Sequence, residues 1–356
     1  MRLGLVGPLP PPNGGMAMQT LQLARLLGDE GLEVELVQTN APYWPAVVAR
    51  LKGVRAFFRI MPYLWRIWRL AGRTDVIHLM ANSGWSWQLF AAPVIWIGWL
   101  RKTPVIVNYR GGEAREYLSA SARWVKPSLA RSAQLVVPSG FLRQVFSEFG
   151  VAAAVIPNII DLEMFYPAAT QSRDNVFTLV ITRNLEPIYG LDTAIRALAL
   201  AREAVPTLHL KIAGSGPQQA ELQRLVEQLG LGDAVAFLGR LERQQVVDLY
   251  HGADAMLNPS RVDNMPNSVL EALACGLPVI STNVGGVPYI VQHGQTALLV
   301  PRDDAGAMAD AIVKLYTDTT LRNALREKGR RAVAQYAWEE VRPLWLSLYN
   351  THTVAA

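Results

Sequence analysis

At 356 residues, half of them apolar and with a net charge of +5, the chain is long for one hydrophobic core and natural for two domains. Its single cysteine, Cys275 in LACG at a helix end, excludes an intrachain disulfide and a cysteine-built zinc site, suits the cytoplasm, and reads as a small buried hydrophobe. Residues 1–165 hold 17 Lys/Arg against 10 Asp/Glu, the remainder holds 17 against 19, and eight of the ten tryptophans fall in the first half; this points to an anionic ligand or membrane surface there, and the lack of any nucleic-acid motif argues against nucleic acid.

The chain opens on an apolar strand, Arg2–Gly7, and a loop, Pro8–Gly15, which read as strand and turn rather than as a signal peptide. Gly14 and Gly15 stand directly before a helix, Met16 to about Leu27, where backbone N–H groups can approach an anion. Strand Leu32–Gln38 completes a β-α-β unit. Arg55–Leu70 sets four arginines among Phe57, Phe58, Tyr63, Trp65 and Trp68, with Pro62 kinking any helix there. Such a stretch suits an interfacial helix on an anionic membrane, or a helix packed on its own domain with snorkelling arginines. Strand Asp75–Met80 carries His78, read as a core histidine; the apolar core Leu89–Leu100 of the uncharged run Val76–Leu100 is too short to span a bilayer. Strand Pro104–Tyr109 delivers Arg110-Gly111-Gly112-Glu113 at its carboxyl end, where an arginine is well placed to meet an anion. Strand Leu135–Ser139, helix Phe141–Phe149 and strand Ala153–Asn158 end the first run, and Asp161–Pro167 reads as a linker.

The pattern restarts at strand Phe177–Thr182, with loop Arg183–Gly190, helix Asp192 to about Glu203 and strand Leu208–Ala213. Gly214-Ser215-Gly216-Pro217 then opens a helix to Leu229; without a third glycine and an acidic partner it is weak evidence for a nucleotide and serves equally as fold punctuation. Strands Ala234–Leu238 and Ala255–Pro259 flank helix Glu242–Tyr250. Asn258–Gly286 reads as strand, polar loop, helix, strand and loop, with Asp263 and Glu271 at the start and first turns of its helix. In parallel α/β sheets ligands collect at the carboxyl ends of strands and at helix N-termini, so this stretch is the candidate site; the competing reading has Asp263 only capping the helix after Pro266. Ala297–Pro301 is a short strand, Asp303-Asp304 caps helix Ala305–Tyr316 rather than holding a metal, and helices run to the end through Trp338 and Trp345. Two β-α runs joined near 159–170 predict two doubly wound parallel sheets with a small-molecule cleft between them.

Four segments carry a resemblance: VGPLPPPNGGMAMQTLQLARLL, VIPNIIDLEMFYP, IAGSGPQQAELQRLVEQLGLGDAVAFLGR and the whole of Asp254–Pro301. In order, they resemble the glycine loop and first helix, the interdomain stretch and the nucleotide-binding domain of glycosyltransferase family 4. The resemblance implies the GT-B fold, two Rossmann-like α/β domains facing across a cleft. Residues 1–165, completed by a C-terminal helix at about 338–356, would bind the acceptor, and residues 166–337 the nucleotide-sugar donor. It implies retaining transfer from a UDP- or GDP-sugar to a glycan or lipid-linked acceptor, with no cofactor and no metal. The departing diphosphate would itself act as the base.

By the same resemblance Glu271 holds the ribose hydroxyls and Asp263, one methylene shorter than the family's usual glutamate, contacts the donor sugar. Asn264, Met265, Pro266, Asn267 and Ser268 would present side chains and helix N-terminal N–H groups to the donor, with Gly14, Gly15 and Gly214 completing its surroundings. Arg183 would neutralise the leaving diphosphate. Tyr189 stands where the family commonly has a lysine, and Arg110 where it often has a histidine, so Arg110 is expected to replace the missing cation. Acceptor choice is expected in residues 8–15, 40–70 and 80–120. The alternatives are a non-catalytic scaffold of the same fold in a glycan-assembly complex, and a sugar-nucleotide 2-epimerase, for which His78, His251 and His293 form no convincing cluster.

Overall fold

Most of the inner strands of two parallel sheets read as unbroken apolar runs, because inner strands are covered on both faces, whereas Glu33–Gln38 and Val235–Gly239 at the edges expose alternate residues. The computed structural model describes residues 1–11, 14–42, 55–168 and 176–353. Pro12 and Asn13 of the expected glycine loop, residues 43–54 of the expected acceptor region and the end of the 159–170 join lie outside the described residues. The chain divides into two units, one of residues 1–159 plus those from Trp338 onward, the other Ile160–Ala337.

In the first unit, β1 (Arg2–Gly7), β2 (Glu33–Gln38), β3 (Val76–Ala81), β4 (Val105–Tyr109), β5 (Gln134–Val137) and β6 (Ala154–Val155) pair in the order β2-β1-β3-β4-β5-β6. All are parallel. The last strand is two residues long, where Ala153–Asn158 was expected; Pro157 has no N–H to extend the ladder. The connecting helices are α1 (Gly15–Asp29), α2 (Arg55–Ala71), α3 (Ala92–Arg101), α4 (Ala114–Leu129) and α5 (Gly140–Glu148), α3 being entered through a π-helical turn, Trp87–Ala91. Right-handed crossovers distribute them over both faces. The core on one face is built from α2 to α5, and on the other from α1 and the C-terminal helix, Trp338–His352. α2 runs through Pro62 as one helix.

The C-terminal helix is held to the first unit at both ends. Trp338 Nε1 and Arg342 donate to the Glu30 carboxylate, and Trp345 and Tyr349 bury completely beside His78. His78 is a core residue, as its sequence context predicts, and burial pushes its imidazole down to about 3, so it stays neutral.

In the second unit, β7 (Phe177–Thr182), β8 (Leu208–Ala213), β9 (Val235–Gly239), β10 (Ala255–Asn258), β11 (Val279–Thr282) and β12 (Leu298–Val300) pair in the order β12-β11-β10-β7-β8-β9. Its helices are α6 (Leu191–Ala204), α7 (Gln219–Gln228), α8 (Arg243–His251), α9 (Asn267–Ala274), α10 (Ala305–Thr317) and α11 (Thr319–Val333). One core lies under α6, α7 and α10, the other under α8 and α9. The unit begins earlier than the 165/166 boundary read from the sequence. Ile160 donates its N–H to the Tyr336 carbonyl at 2.9 Å, and Ile160 and Phe165 are buried in this unit's core.

Candidate functional site

The strand order of the second sheet reverses between the parallel strands β7 and β10, and the chain leaving each of these strands meets the other at their carboxyl ends. This is the switch point at which open α/β sheets hold ligands. Arg183 follows β7. Its Nη2 pairs with the Asp263 carboxylate and donates to Ser260 Oγ at 3.0 Å, and its guanidinium lies 4.4 Å from the centre of the Tyr189 ring. Arg183 Nε has no partner among the described residues, and burial lowers the guanidinium's pKa. Two glycines permit this nesting. Any side chain at Gly214 would collide with the Arg183 carbonyl, and one at Gly190, whose φ is 59°, with the Pro259 carbonyl. Gly214 therefore shapes the arginine's loop by close backbone approach, and Tyr189 stacks on the arginine from a 3₁₀ turn, Pro187–Tyr189.

Asp263 follows β10 and does not cap α9. The helix begins after Pro266 without a side-chain cap. Asp263 Oδ2 accepts from Ser260 Oγ at 3.1 Å, Oδ1 from the Asn264 N–H at 3.0 Å, and its carbonyl from the Gly286 N–H at 2.9 Å. Ser260 in turn donates toward Asn258 Oδ1, and Asn258 donates to Ser281, so the loop is pinned to both neighbouring strands. Arg261, which no sequence signal singles out, binds Asp303 at 2.6 Å and Asp192 at 2.8 Å and donates to the Pro187 carbonyl at 2.7 Å. Its partners are remote in sequence, so their convergence exists only in the folded unit. Asp304 caps α10 by accepting from the Ala307 N–H at 2.8 Å, while Asp303 serves as the Arg261 partner rather than as part of the cap.

Glu271 projects from α9, half-buried. Its Oε2 accepts from the Tyr250 hydroxyl at 3.4 Å, and that hydroxyl shares a 2.5 Å hydrogen bond with Thr182 Oγ1. Burial pushes the Glu271 carboxyl up to about 7, against the opposing pull of Arg243 and Arg183. Around it the expectation that residues 264–268 face a ligand with their side chains is corrected. Met265 is packed in the apolar core, Asn264 and Pro266 are buried, and Asn267 is half-buried at the first helical position. The segment's outward chemistry is therefore backbone at the N-terminus of α9, joined by Ser268 Oγ, which is buried with no partner among the described residues.

In the first unit, Gly14 is the N-cap of α1 in an extended conformation, and a side chain there would meet nothing within 4 Å. Among the described residues nothing crowds the side-chain position at that helix start, the kind of place where backbone N–H groups can meet an anion. Arg110 follows β4. Its Nε donates to Asn108 Oδ1 at 3.2 Å and its Nη1 to Asn158 Oδ1, while burial lowers its pKa to about 10, leaving it charged at neutral pH. Asn108 Nδ2 reaches His78 Nε2 at 3.0 Å, and His78 Nδ1 meets the Tyr349 hydroxyl at 2.7 Å. Since Asn108 Oδ1 accepts from Arg110, its amide must donate to Nε2, which places the imidazole proton on Nδ1. Asn108, Asn158 and Tyr349 are thus positioning partners of Arg110, and their bonds cross the sheet in a way no local motif announces.

Taken alone, the second-unit cluster offers a fixed guanidinium, a short carboxylate, a helix N-terminus and a half-buried carboxyl. This set is suited to a diphosphate with a diol at one end and polar hydroxyls at the other.

Residues 13–164 match the family described as Glycosyltransferase Family 4, and residues 165–332 the family described as Glycosyl transferases group 1. The D-inositol 3-phosphate glycosyltransferase of Jonesia denitrificans is 25% identical, over 96% of this chain and 92% of its own length. A GDP-mannose-dependent alpha-(1-6)-phosphatidylinositol monomannoside mannosyltransferase of Mycobacterium tuberculosis is 33% identical, over 56% of this chain and 57% of its own. Apart from the Jonesia protein, the chain spans about half or less of most of the curated relatives it matches, from 20% to 57% of their length. Among solved structures, sucrose-phosphate synthase from Thermosynechococcus elongatus superposes with a TM-score of 0.81 at 22% identity, covering 100% of both chains, a likeness of fold. No described helix is long and apolar enough to cross a membrane. With each half matched in order and both parallel sheets in place, the chain belongs to the family 4 glycosyltransferases of the GT-B fold.

Proposed function

We propose that the protein transfers a sugar, with retention at its anomeric carbon, from a UDP- or GDP-sugar to a glycan or lipid-linked acceptor in cell-surface polysaccharide or glycolipid synthesis. The observation that carries this is the convergence of Arg183, Asp263 and Glu271 at the carboxyl ends of β7 and β10 and on α9. Glu271, once ionised, accepts from both ribose hydroxyls. Arg183 and the N-terminus of α9 stabilise the diphosphate as the bond from the anomeric carbon to the phosphate oxygen breaks. The acceptor hydroxyl bonds to that carbon on the same face, and its proton passes to the departing phosphate oxygen. Arg183 is already paired with Asp263, so the donor must share that guanidinium; the Asp263 oxygen it releases is then available to a sugar hydroxyl. Arg110, Gly14 and Gly15 are proposed as the first unit's anion-directed groups, residues 55–70 as its contact with an anionic membrane surface. The nucleotide-sugar is a substrate, and no metal or cofactor is invoked. Both relatives named above carry inositol-containing acceptors in their names, which supports a polyol or lipid-linked acceptor.

Thermal-shift screening against UDP, GDP, ADP and their sugars tests this directly. A ligand at about 100 times its Kd raises native stability by ~2.7 kcal/mol. One nucleotide family should give the shift, and donor hydrolysis should follow it. Glu271→Ala should abolish both. Absence of any shift and of donor consumption overturns the reading.

A second reading, the non-catalytic scaffold, draws on one observation: the Arg183 charge is already neutralised by Asp263, and Tyr189 adds no cation. It predicts unchanged partner assembly in Arg183→Ala. The epimerase reading loses support, because His251 and His293 are engaged with backbone groups at Tyr166 and Leu299, away from the cluster, and His209 with the Thr207 carbonyl.

A further inference from the structure

Most of the described tryptophans of the first unit stay out of its core, Trp345 being one exception. Trp87 is fully buried, but Trp65 is 58% exposed, Trp99 51% and Trp124 62%, with Trp68 and Trp96 also exposed. These five come from three neighbouring helices, α2, α3 and α4, all on the same face of the sheet. Trp65, Trp68, Trp99 and Trp124 lie in the second halves of their helices, toward where the following strand begins, and Trp96 lies at the middle of α3. Arginines join them across helix boundaries. Arg101 of α3 lies 4.9 Å from the Trp68 ring of α2, and Arg131, just beyond α4, lies 4.0 Å from Trp96 and 5.2 Å from Trp99 of α3. Arg69 and Arg123 stack on Trp65 and Trp124 of their own helices. The indoles and guanidiniums of α2 and α3 therefore form one linked cluster, with Trp124 and Arg123 exposed on the neighbouring α4, and exposed apolar groups gathered in this way mark interaction sites.

Charge says what the patch is for. Residues 55–131 carry twelve Lys/Arg and three Asp/Glu, so the occupant is anionic. Beside Trp124, a recess of about 690 Å³ is lined by Arg123, Lys126, Ser132 and Gln134, a concave basic spot large enough for a phosphate-bearing head group. Indole with guanidinium is the pairing that sits at the head-group level of bilayers, the ring meeting acyl chains while the cation meets phosphate. We infer that α2, α3 and α4 together form a docking face for an anionic phospholipid bilayer, wider than residues 55–70 and extending to the Arg123–Lys126 recess. This deepens the proposed function and rests on its reading of a membrane-proximal acceptor. Because the patch lies where strands begin, a bilayer seated on it leaves Gly14 and Arg110, at the carboxyl ends, uncovered.

The test is co-sedimentation of the full chain with phosphatidylcholine vesicles and with equal mixtures of phosphatidylcholine and phosphatidylglycerol, at low and high salt. The wild type should bind the anionic vesicles, bind neutral ones at least about tenfold less, and be released by salt. Trp65→Ser with Trp68→Ser, Trp96→Ser with Trp99→Ser, and Arg123→Glu with Lys126→Glu should each weaken binding about tenfold or more while melting normally. If only the α2 pair matters, the wider face is overturned and residues 55–70 stand alone. Equal binding to neutral vesicles, no binding at all, or a homodimer broken by the same substitutions overturns the bilayer. Nucleotide-induced thermal shifts on the same samples separate the two proposals: shifts without vesicle binding sink the docking face alone, and vesicle binding without shifts sinks the transferase reading alone.

Discussion

The two units share an architecture and differ in what they do with the carboxyl edge of the sheet. The first has strand order β2-β1-β3-β4-β5-β6 and the second β12-β11-β10-β7-β8-β9, which is the order 3-2-1-4-5-6 of dinucleotide folds when its strands are counted from the other edge. At its switch point the second unit concentrates paired charge: Arg183 with Asp263, Glu271 under Tyr250, Arg261 across Asp192 and Asp303. The first unit offers an open helix start at Gly14 and one buried cation, Arg110, braced through Asn108 and His78 by the C-terminal helix. Several of its other cations lie beside the exposed tryptophans of the outer helices. One unit therefore carries a cluster of paired charges at its switch point, and the other a lightly furnished edge. The difference lies in which side chains the loops bring together.

The strongest way to break this comparison is Arg183→Ala. It should lower turnover by about 10²–10³-fold, as loss of a single charge-stabilising donor does. It should also cost roughly 3–5 kcal/mol of stability, because Asp263, almost wholly buried, loses its counter-charge. Steady-state rates with the identified donor, and denaturant melts, check both. An unchanged rate would take Arg183 out of the transfer step.

A smaller effect sharpens the first unit. Tyr349→Phe removes the acceptor for the His78 Nδ1 proton and should destabilise by about 1–3 kcal/mol, the cost of a buried donor left unpaired. Nucleotide binding in the second unit should not change, as thermal shift would show.

Glu271 supplies a pH signature. Its folded-state pKa is raised from 4.5 to about 7 by burial. Between those values the unfolded chain has lost a proton that the native state keeps, so stability should fall as pH rises through this window and level off above it. Donor affinity should move the other way, rising as the carboxyl ionises near pH 7. Glu271→Gln should flatten both profiles, read by melts and binding titrations across pH 5 to 8, a range set by the cited shift. The smallest expected effect is none: chelation with EDTA should leave transfer unchanged, and an activity lost to EDTA and restored by a divalent ion would add a metal to the donor site.

Most of the strands were legible because buried parallel strands are written as apolar runs, from Leu3 to Val6 and from Leu179 to Ile181. Glu271 was legible because a helix start after a strand, with a carboxylate in its first turns, is a local pattern. The capping reading of Asp263 was equally local and fails, since Pro266 takes the cap position and the carboxylate turns to Arg183 instead. Arg261, Tyr250 and Asn108 were not legible at all, since groups they hold arrive from elements remote in sequence.

By itself the sequence determined the two β-α runs, the charge asymmetry, the wealth of tryptophan in the first half and the place of Glu271 on the helix of a strand-loop-helix unit, because each follows from periodicity, composition or neighbours a few residues apart. Only the tertiary structure decided that Met265 faces the core, that Arg183 is shared with Asp263, that Arg110 is braced by residues from β3, β4 and the C-terminal helix, and that Arg101 and Arg131 reach tryptophans of α2 and α3. Those are pairings between residues tens to hundreds of positions apart. Their energies depend on direction and burial, which a linear pattern does not carry.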